Sequence, residues 1–248
     1  MAGASFAPCA VIPVYDHEQA VGRVVQGVRA AGLPCFLVDD GSAERCARAL
    51  RDIVAATPEA ALLRLDPNRG KGGAVIAGFA AAAARGYTHA LQVDADGQHA
   101  LEDIPRFVAE ARAHPEALIC GRPLFDASMP RVRRYGRYLT HFMVWLNTLS
   151  FDIPDSLCGF RLYPLAPALR LIAEEHVGAR MEFDAEILVR LYWRQLPLRW
   201  IPTRVIYPLD GVSHFRLVHD NARMVALQTR LLCGMLWRLP LLLRRKLT

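Results

Sequence analysis

Tyr87-Thr88-His89-Ala90-Leu91-Gln92-Val93-Asp94-Ala95-Asp96-Gly97-Gln98-His99 changes character at Asp94. The residues up to Val93 read as a strand that stops where the carboxylates begin. Asp94 and Asp96 are two apart, and at a strand end that spacing sends both side chains to one side. Two carboxylates held so close repel unless a cation or a donor lies between them. Oxygen ligands suit Mg²⁺ or Mn²⁺, and Mg²⁺ takes one or two carboxylates alongside substrate phosphates. Gln98 adds a neutral oxygen two residues on. One reading is therefore a divalent cation held by Asp94, Asp96 and Gln98, set to neutralise a diphosphate. The other is an acidic turn capping the next helix, whose first turn holds Glu102 and Asp103.

Working back from this stretch, the same alternation recurs. Cys9 to Tyr15 is an apolar strand ending in Asp16-His17-Glu18. Val21, Val24, Val25 and Val28 then mark one helical face, which Gly32-Leu33-Pro34 stops. Cys35 to Val38 is a second strand, running into Asp39-Asp40-Gly41-Ser42. A helix over 44–56 and a strand over 62–65 follow. The loop Asp66-Pro67-Asn68-Arg69-Gly70-Lys71-Gly72-Gly73 opens an Ala-rich helix to Arg85. Strand and helix in alternation, with strands of buried type, predict an α/β fold with a mostly parallel sheet covered on both faces. Ligands bind outside the carboxyl ends of such strands, so the polar clusters that follow them should share one crevice. Each cluster also has a plain structural reading. Asp39 to Ser42 suits a turn and helix cap. The Asn68 to Gly73 loop lacks the P-loop pattern, but its glycines allow close backbone approach, and Lys71 is one of two lysines beside 28 arginines.

The order and spacing of Ile12-Pro13-Val14-Tyr15, Val38 to Ser42, Asn68 to Ala74 and Asp94 to His99 resemble family 2 glycosyltransferases. The branch resembled is that of the polyprenyl-phosphate sugar synthases, which includes dolichyl-phosphate mannose synthase. The resemblance covers roughly residues 8–220. It implies a GT-A fold, a nucleotide-diphosphate-sugar donor, a divalent metal (Mg²⁺ or Mn²⁺) and inversion at the anomeric carbon. By that match, Pro13, Tyr15, Asp39 and Asp40 fall in the nucleoside pocket, with Asp16 or Glu18 facing the nucleotide. Asp94, Ala95 and Asp96 match the segment facing the donor, and Gln98 a metal-side ligand. Cys120-Gly121-Arg122 nearly matches a family Gly-Ser-Arg, which makes Arg122 a donor-side candidate. Asp155 to Arg161 and Met181 to Glu186 resemble acceptor-side segments. Asp155, Glu182 and Asp184 are thus candidates for a base, or for orienting the acceptor, beside Asp96. Ser213-His214-Phe215-Arg216 resembles the closing segment, where His214 can meet the diphosphate.

The chain has 248 residues and is 53% hydrophobic, with a mean hydropathy of +0.16. That is apolar, yet no run of roughly 18 uninterrupted apolar residues marks a span, and no signal peptide is visible. Six scattered cysteines without a C-x-x-C pair argue against zinc or a disulfide framework, and for a reducing cytoplasm. The net charge of +6 sits in residues 221–248, which hold six basic residues and no acidic one. A nucleic-acid binder would carry its charge on the body with aromatics interleaved. An apolar, basic tail points instead to an anionic membrane surface. Arg131, Arg133, Arg134 and Arg137 offer forks for an anionic acceptor head or lipid phosphate. The apolar stretch after them is either a core helix or an interfacial one. Pro240 is expected to break the tail helix.

The expectation is a glycosyltransferase domain over 1–220 and a membrane- or partner-contacting tail over 221–248. It lies at the cytoplasmic face of the membrane or in the cytoplasm. It uses a nucleotide-sugar donor and a lipid phosphate or lipid-linked acceptor, with no nucleic acid. Two alternatives remain at this point: a nucleotidyltransferase making the sugar nucleotide, and a non-catalytic scaffold on the same fold.

Overall fold

The computed structural model describes residues 5–125, 131–205 and 217–245. Its described strands form a seven-stranded sheet in the order β3-β2-β1-β4-β6-β5-β7. These are β1 (Pro8–Val14), β2 (Cys35–Asp39), β3 (Ala60–Arg64), β4 (His89–Gln92), β5 (Leu118–Phe125), β6 (Arg161–Pro164) and β7 (Leu198–Val205). β1 pairs in parallel with both β2 and β4. The order therefore reverses at β1, which opens a crevice beyond its carboxyl end.

Alternation along β1 splits the core. Cys9 and Val11 pack on one face of the sheet with α3 (Lys71–Ala84), α6 (Leu165–Glu174) and α7 (Phe183–Trp193). Ala10 and Ile12 pack on the other with α1 (Val21–Ala30), α2 (Glu44–Ala56) and α4 (Ile104–Ala113). Val21, Val24, Val25 and Val28 are the buried residues of α1, as their spacing predicts. Pro13 has no N–H to donate and lies beyond Val11, where the β1–β4 register ends.

β6 runs antiparallel to both neighbours, placing Arg161 beside Gln92 of β4 and Cys120 of β5. An antiparallel strand presents its leading loop, not its trailing one, at the crevice. That is how residues 155–160 arrive there. β6 is four residues long, set just after Gly159 and ending at Pro164, and carries little periodicity.

α5 (Arg131–Thr148) and α8 (Leu217–Arg244) close the second half. Leu227, Leu231, Met235 and Leu242 of α8 are buried in the core. Arg230 reaches the fully buried Glu186 of α7 at 3.1 Å, and Asn147 of α5 donates to Gln228 at 2.8 Å. Pro240 does not end α8, which runs on to Arg244. Leu242 is packed on the next turn, and Arg245 donates to the Trp193 carbonyl at 2.7 Å, so tertiary contacts hold the last turn in place. No helix among the described residues is long and apolar enough to cross a membrane.

Candidate active site

The loops after β1, β2 and β3 are stitched to one another. Asp16 has φ 52°, a left-handed conformation that a short polar side chain tolerates. It accepts the Ala43 N–H, while its own N–H donates to Ser42 Oγ at 3.1 Å. Asp39, fully buried, accepts the Ser42 N–H at 2.9 Å and pairs with Arg64. Asp40 accepts the Arg69 and Gly70 N–H groups at 2.6 and 2.8 Å. Burial pushes the Asp40 carboxyl up, against those two bonds. Tyr15 sits at the end of β1, partly exposed.

The Asp40 bonds shape the glycine loop. Gly70 has φ +85°, and a Cβ there would lie 2.6 Å from the Ala179 carbonyl. A Cβ on Gly72 would lie 2.5 Å from Phe183 Cβ. The glycines thus let α3 start tight against residues 178–183 at the head of α7.

That packing delivers Lys71 to two carboxylates. Its Nζ lies 2.8 Å from Asp94 Oδ1 and 2.8 Å from Asp184 Oδ2. Gln92 donates to Asp184 at 2.8 Å. Burial works against charge on Lys71, but Asp184 and Asp94 outweigh it and hold the ammonium well above its ordinary range. Burial likewise opposes ionisation of Asp94, yet Lys71 and His99 keep its carboxyl well below the carboxylate range. Gly159 covers this group: a Cβ there would meet Gln92 Nε2 and Lys71 Nζ, both at 2.8 Å. Beneath it Arg161, with no exposed surface, donates to the backbone carbonyls of Asp184 and Ser156 at 2.5 and 2.8 Å.

Beside Asp94 lies a cavity of about 80 Å³, lined among others by Asp96, Gln98, His99 and Arg137. A larger groove, about 440 Å³, is lined by Leu198 at the amino end of β7, with Tyr192, Trp200 and Arg245, away from these carboxylates. The smaller cavity holds the charged cluster at the switch point and is the better candidate for chemistry. Asp96 accepts the Gln98 N–H at 3.0 Å. His99 stacks on Phe160 with centroids 5.0 Å apart, its Nε2 3.4 Å from Asp94 Oδ2.

A family model described as "Glycosyl transferase family 2" matches residues 9–168. The chain belongs to glycosyl transferase family 2. Among curated relatives, a UDP-N-acetylglucosamine–dolichyl-phosphate N-acetylglucosaminyltransferase of Methanococcus voltae is 24% identical over 214 residues, covering 79% of this chain and 84% of that protein. A dolichyl-phosphate beta-glucosyltransferase of Dictyostelium discoideum is 30% identical over 173 residues, covering 66% of this chain and 52% of the relative. Among solved structures, the glucosyl-3-phosphoglycerate synthase of Mycobacterium tuberculosis, crystallised with Mn²⁺, UDP-glucose and phosphoglyceric acid, aligns with a TM-score of 0.69 at 14% identity. The alignment covers 93% of this chain and 81% of that one. The fold is GT-A, and the protein is a glycosyltransferase.

For a family 2 enzyme, the oxygens at the cavity fit a hard divalent cation. Asp94 Oδ1 is buried without a hydrogen bond, its Lys71 neighbour lying off the bonding direction. Among the described residues no group of three or more His, Cys, Asp or Glu side chains is arranged to hold a metal ion. A cation at this cavity would take its remaining ligands from a substrate's phosphates.

The other expected residues are placed as follows. Ala95 is buried between the two aspartates. Arg122 is exposed on β5 and does not line the cavity. Glu182 is buried at the head of α7 with Oε2 unbonded. Asp155 is held by Arg137. The side chain of Arg131, and all of His214, lie outside the described residues. Gly159 and Arg161 lie in the segment that resembles the acceptor side, without a role of their own in the sequence, and Gln92 is not marked there at all. An arginine inside an otherwise apolar strand was the available signal for Arg161.

Proposed function

We propose that this glycosyltransferase moves a sugar from a nucleotide-diphosphate donor to a polyprenyl phosphate, with a divalent cation and with inversion at the anomeric carbon. The observation carrying the proposal is the convergence of Asp94, Asp96, Gln98 and Arg137 at one switch-point cavity, with Lys71 paired to Asp94 behind it. The relatives named for dolichyl-phosphate acceptors support the acceptor class. Asp94, Asp96 and Gln98 would hold the cation, which would neutralise charge on the departing diphosphate. Tyr15 and Pro13 border the nucleoside side. Asp39, Asp16 and Asp40 shape the loops around it. His214 and Arg131 are proposed as further contacts to phosphate oxygens. A phosphate acceptor is already ionised and needs no strong base. That agrees with Asp184 and Asp155 both being tied up in ion pairs. Calorimetric titration with UDP- and GDP-sugars, with and without Mn²⁺, followed by transfer to polyprenyl phosphate, tests the reading. Binding indifferent to Mn²⁺, or transfer only to hydroxyl acceptors, would overturn it.

The same proposal includes peripheral membrane contact. The outer side of α5 exposes Tyr135, Tyr138, Leu139 and Phe142, and distal α8 exposes Leu236 and Trp237, the last at 86%. An apolar strip of this kind beside a basic tail suits an anionic bilayer surface. The double variant Tyr138→Glu/Phe142→Glu is expected to lose co-sedimentation with phosphatidylglycerol vesicles while its thermal unfolding stays unchanged. Undiminished sedimentation would place the contact elsewhere.

A further inference from the structure

Asp155 is 3% exposed, and its carboxylate accepts four hydrogen bonds. Arg137 approaches it with a two-point fork, Nε to Oδ2 at 2.5 Å and Nη2 to Oδ1 at 2.7 Å. The backbone N–H groups of Leu157 and Cys158 also donate to Oδ1, at 2.9 and 2.8 Å. His141 Nε2 lies 3.2 Å from Oδ2. Three of these bonds converge on Oδ1 and Arg137 Nε takes Oδ2, so the buried carboxylate leaves a reacting hydroxyl or phosphate little room. Burial opposes the charge on Asp155, but His141 and Arg137 outweigh it and hold the carboxyl well below its ordinary range, which suits a permanent anion.

The fork joins two elements. Residues 155–159 form the loop that ends in Gly159, against Lys71 and Asp94. Arg137 and His141 sit four apart on α5, on the side that also buries Val144 and Thr148. Arg137 lines the cavity beside Asp94 and Asp96, and its guanidinium lies 4.7 Å from the Phe125 ring centre. Both hydrogen bonds to Asp155 use Nε and Nη2, which leaves Nη1 for an anion in the cavity.

We infer that Asp155 is a positioning residue: it clamps Arg137 between α5 and the 155–159 loop, so that the guanidinium faces the cavity and grips the phosphate of the incoming acceptor. The phosphate assignment rests on the reading under Proposed function; the clamp itself does not. A rigid two-point bridge fixes the guanidinium plane in a way a lysine ammonium cannot.

Two measurements separate the clamp from the acceptor. Arginine Nε–H spectra of the wild type are expected to show an Arg137 signal slow to exchange with solvent; Asp155→Asn removes that protection. An Arg137 signal unchanged in Asp155→Asn overturns the clamp. In calorimetry with a ten-carbon prenyl phosphate, Arg137→Ala and Asp155→Asn should each weaken binding about tenfold. The double variant should add less than twofold beyond either one. Additive losses overturn the inference. So does an Asp155→Asn enzyme whose acceptor KM is unchanged while kcat collapses and the acid limb of its pH profile disappears, since that is the signature of a base. If prenyl phosphate fails to bind the wild type, the acceptor reading falls while the Arg137 spectrum still decides the clamp. Should Asp155→Asn not fold, Arg137→Lys keeps the charge and loses the fork. Its expected result is the same tenfold loss at an unchanged Tm, and full affinity in that variant counts against the clamp.

Discussion

Asp96→Ala is expected to lower turnover about 10³-fold while leaving the protein folded. Asp96 lines the cavity, and its carboxylate accepts one hydrogen bond among the described contacts, from the Gln98 N–H two residues on. Deleting one such local bond at a half-buried site costs about 1 kcal/mol, so Tm should move only a few degrees. What the alanine removes is an oxygen that no neighbouring ion pair uses. Asp94 is a less clean test, because its removal also strips a partner from Lys71. The diagnostic measurement is turnover against Mn²⁺ concentration, beside metal-free nucleotide affinity. Turnover should collapse with the metal response, while metal-free affinity stays within about threefold. Turnover within tenfold of wild type, or an unaltered Mn²⁺ response, would remove Asp96 from the proposed chemistry.

How much of this was legible in advance differs by element. The first half carried clear signals because each strand is short, apolar and followed by a polar cluster. α2 begins and ends where the heptad-like spacing of Cys46, Leu50 and Ile53 places it. The crevice followed from that alternation alone. What the sequence could not show is how each polar atom is spent. Asp39, Asp40 and Asp16 have the residue types of a ligand pocket, and the sequence admits them equally as loop builders. The bonds to Ser42, Arg69, Gly70 and Ala43 show that they also hold the loops together. The glycines of residues 70–73 read as room for a diphosphate, and they are occupied by the segment at 178–183. β6 was illegible for a different reason. Strand direction is set by connections and neighbours, not by periodicity, and four residues flanked by glycine and prolines carry little pattern. The tail's basic, apolar composition was plain. Its division into a stripe buried on the body and an exposed outer side needs the partner helices α5 and α7.

Lys71→Met is expected to be the most destabilising single change at the site, by about 3–5 kcal/mol at neutral pH. Methionine has nearly the length of lysine and fills the space under Gly159, so the loss is of charge rather than of volume. Lys71 is the cation shared by Asp94 and Asp184, and without it two carboxylates face each other with Gln92 and His99 as nearest donors. The pH dependence separates this cause from loose packing. In the wild type, Asp94 titrates below its unfolded value. Its contribution is fully present above an unfolded carboxyl pKa of about 3.9 and is lost only as pH falls through the lower folded value. In Lys71→Met the burial that already opposes ionisation of Asp94 loses its main opponent, so the folded value rises above the unfolded one and the sign reverses. Stability of the variant should then increase as pH falls from 7 toward about 4, while the wild type changes little through Asp94. Urea unfolding at the two pH values reads this directly, as a gap between the proteins that narrows on acidification. A gap of constant size would mean that methionine disturbs packing alone, and that the Lys71 charge is not what holds Asp94 and Asp184 together.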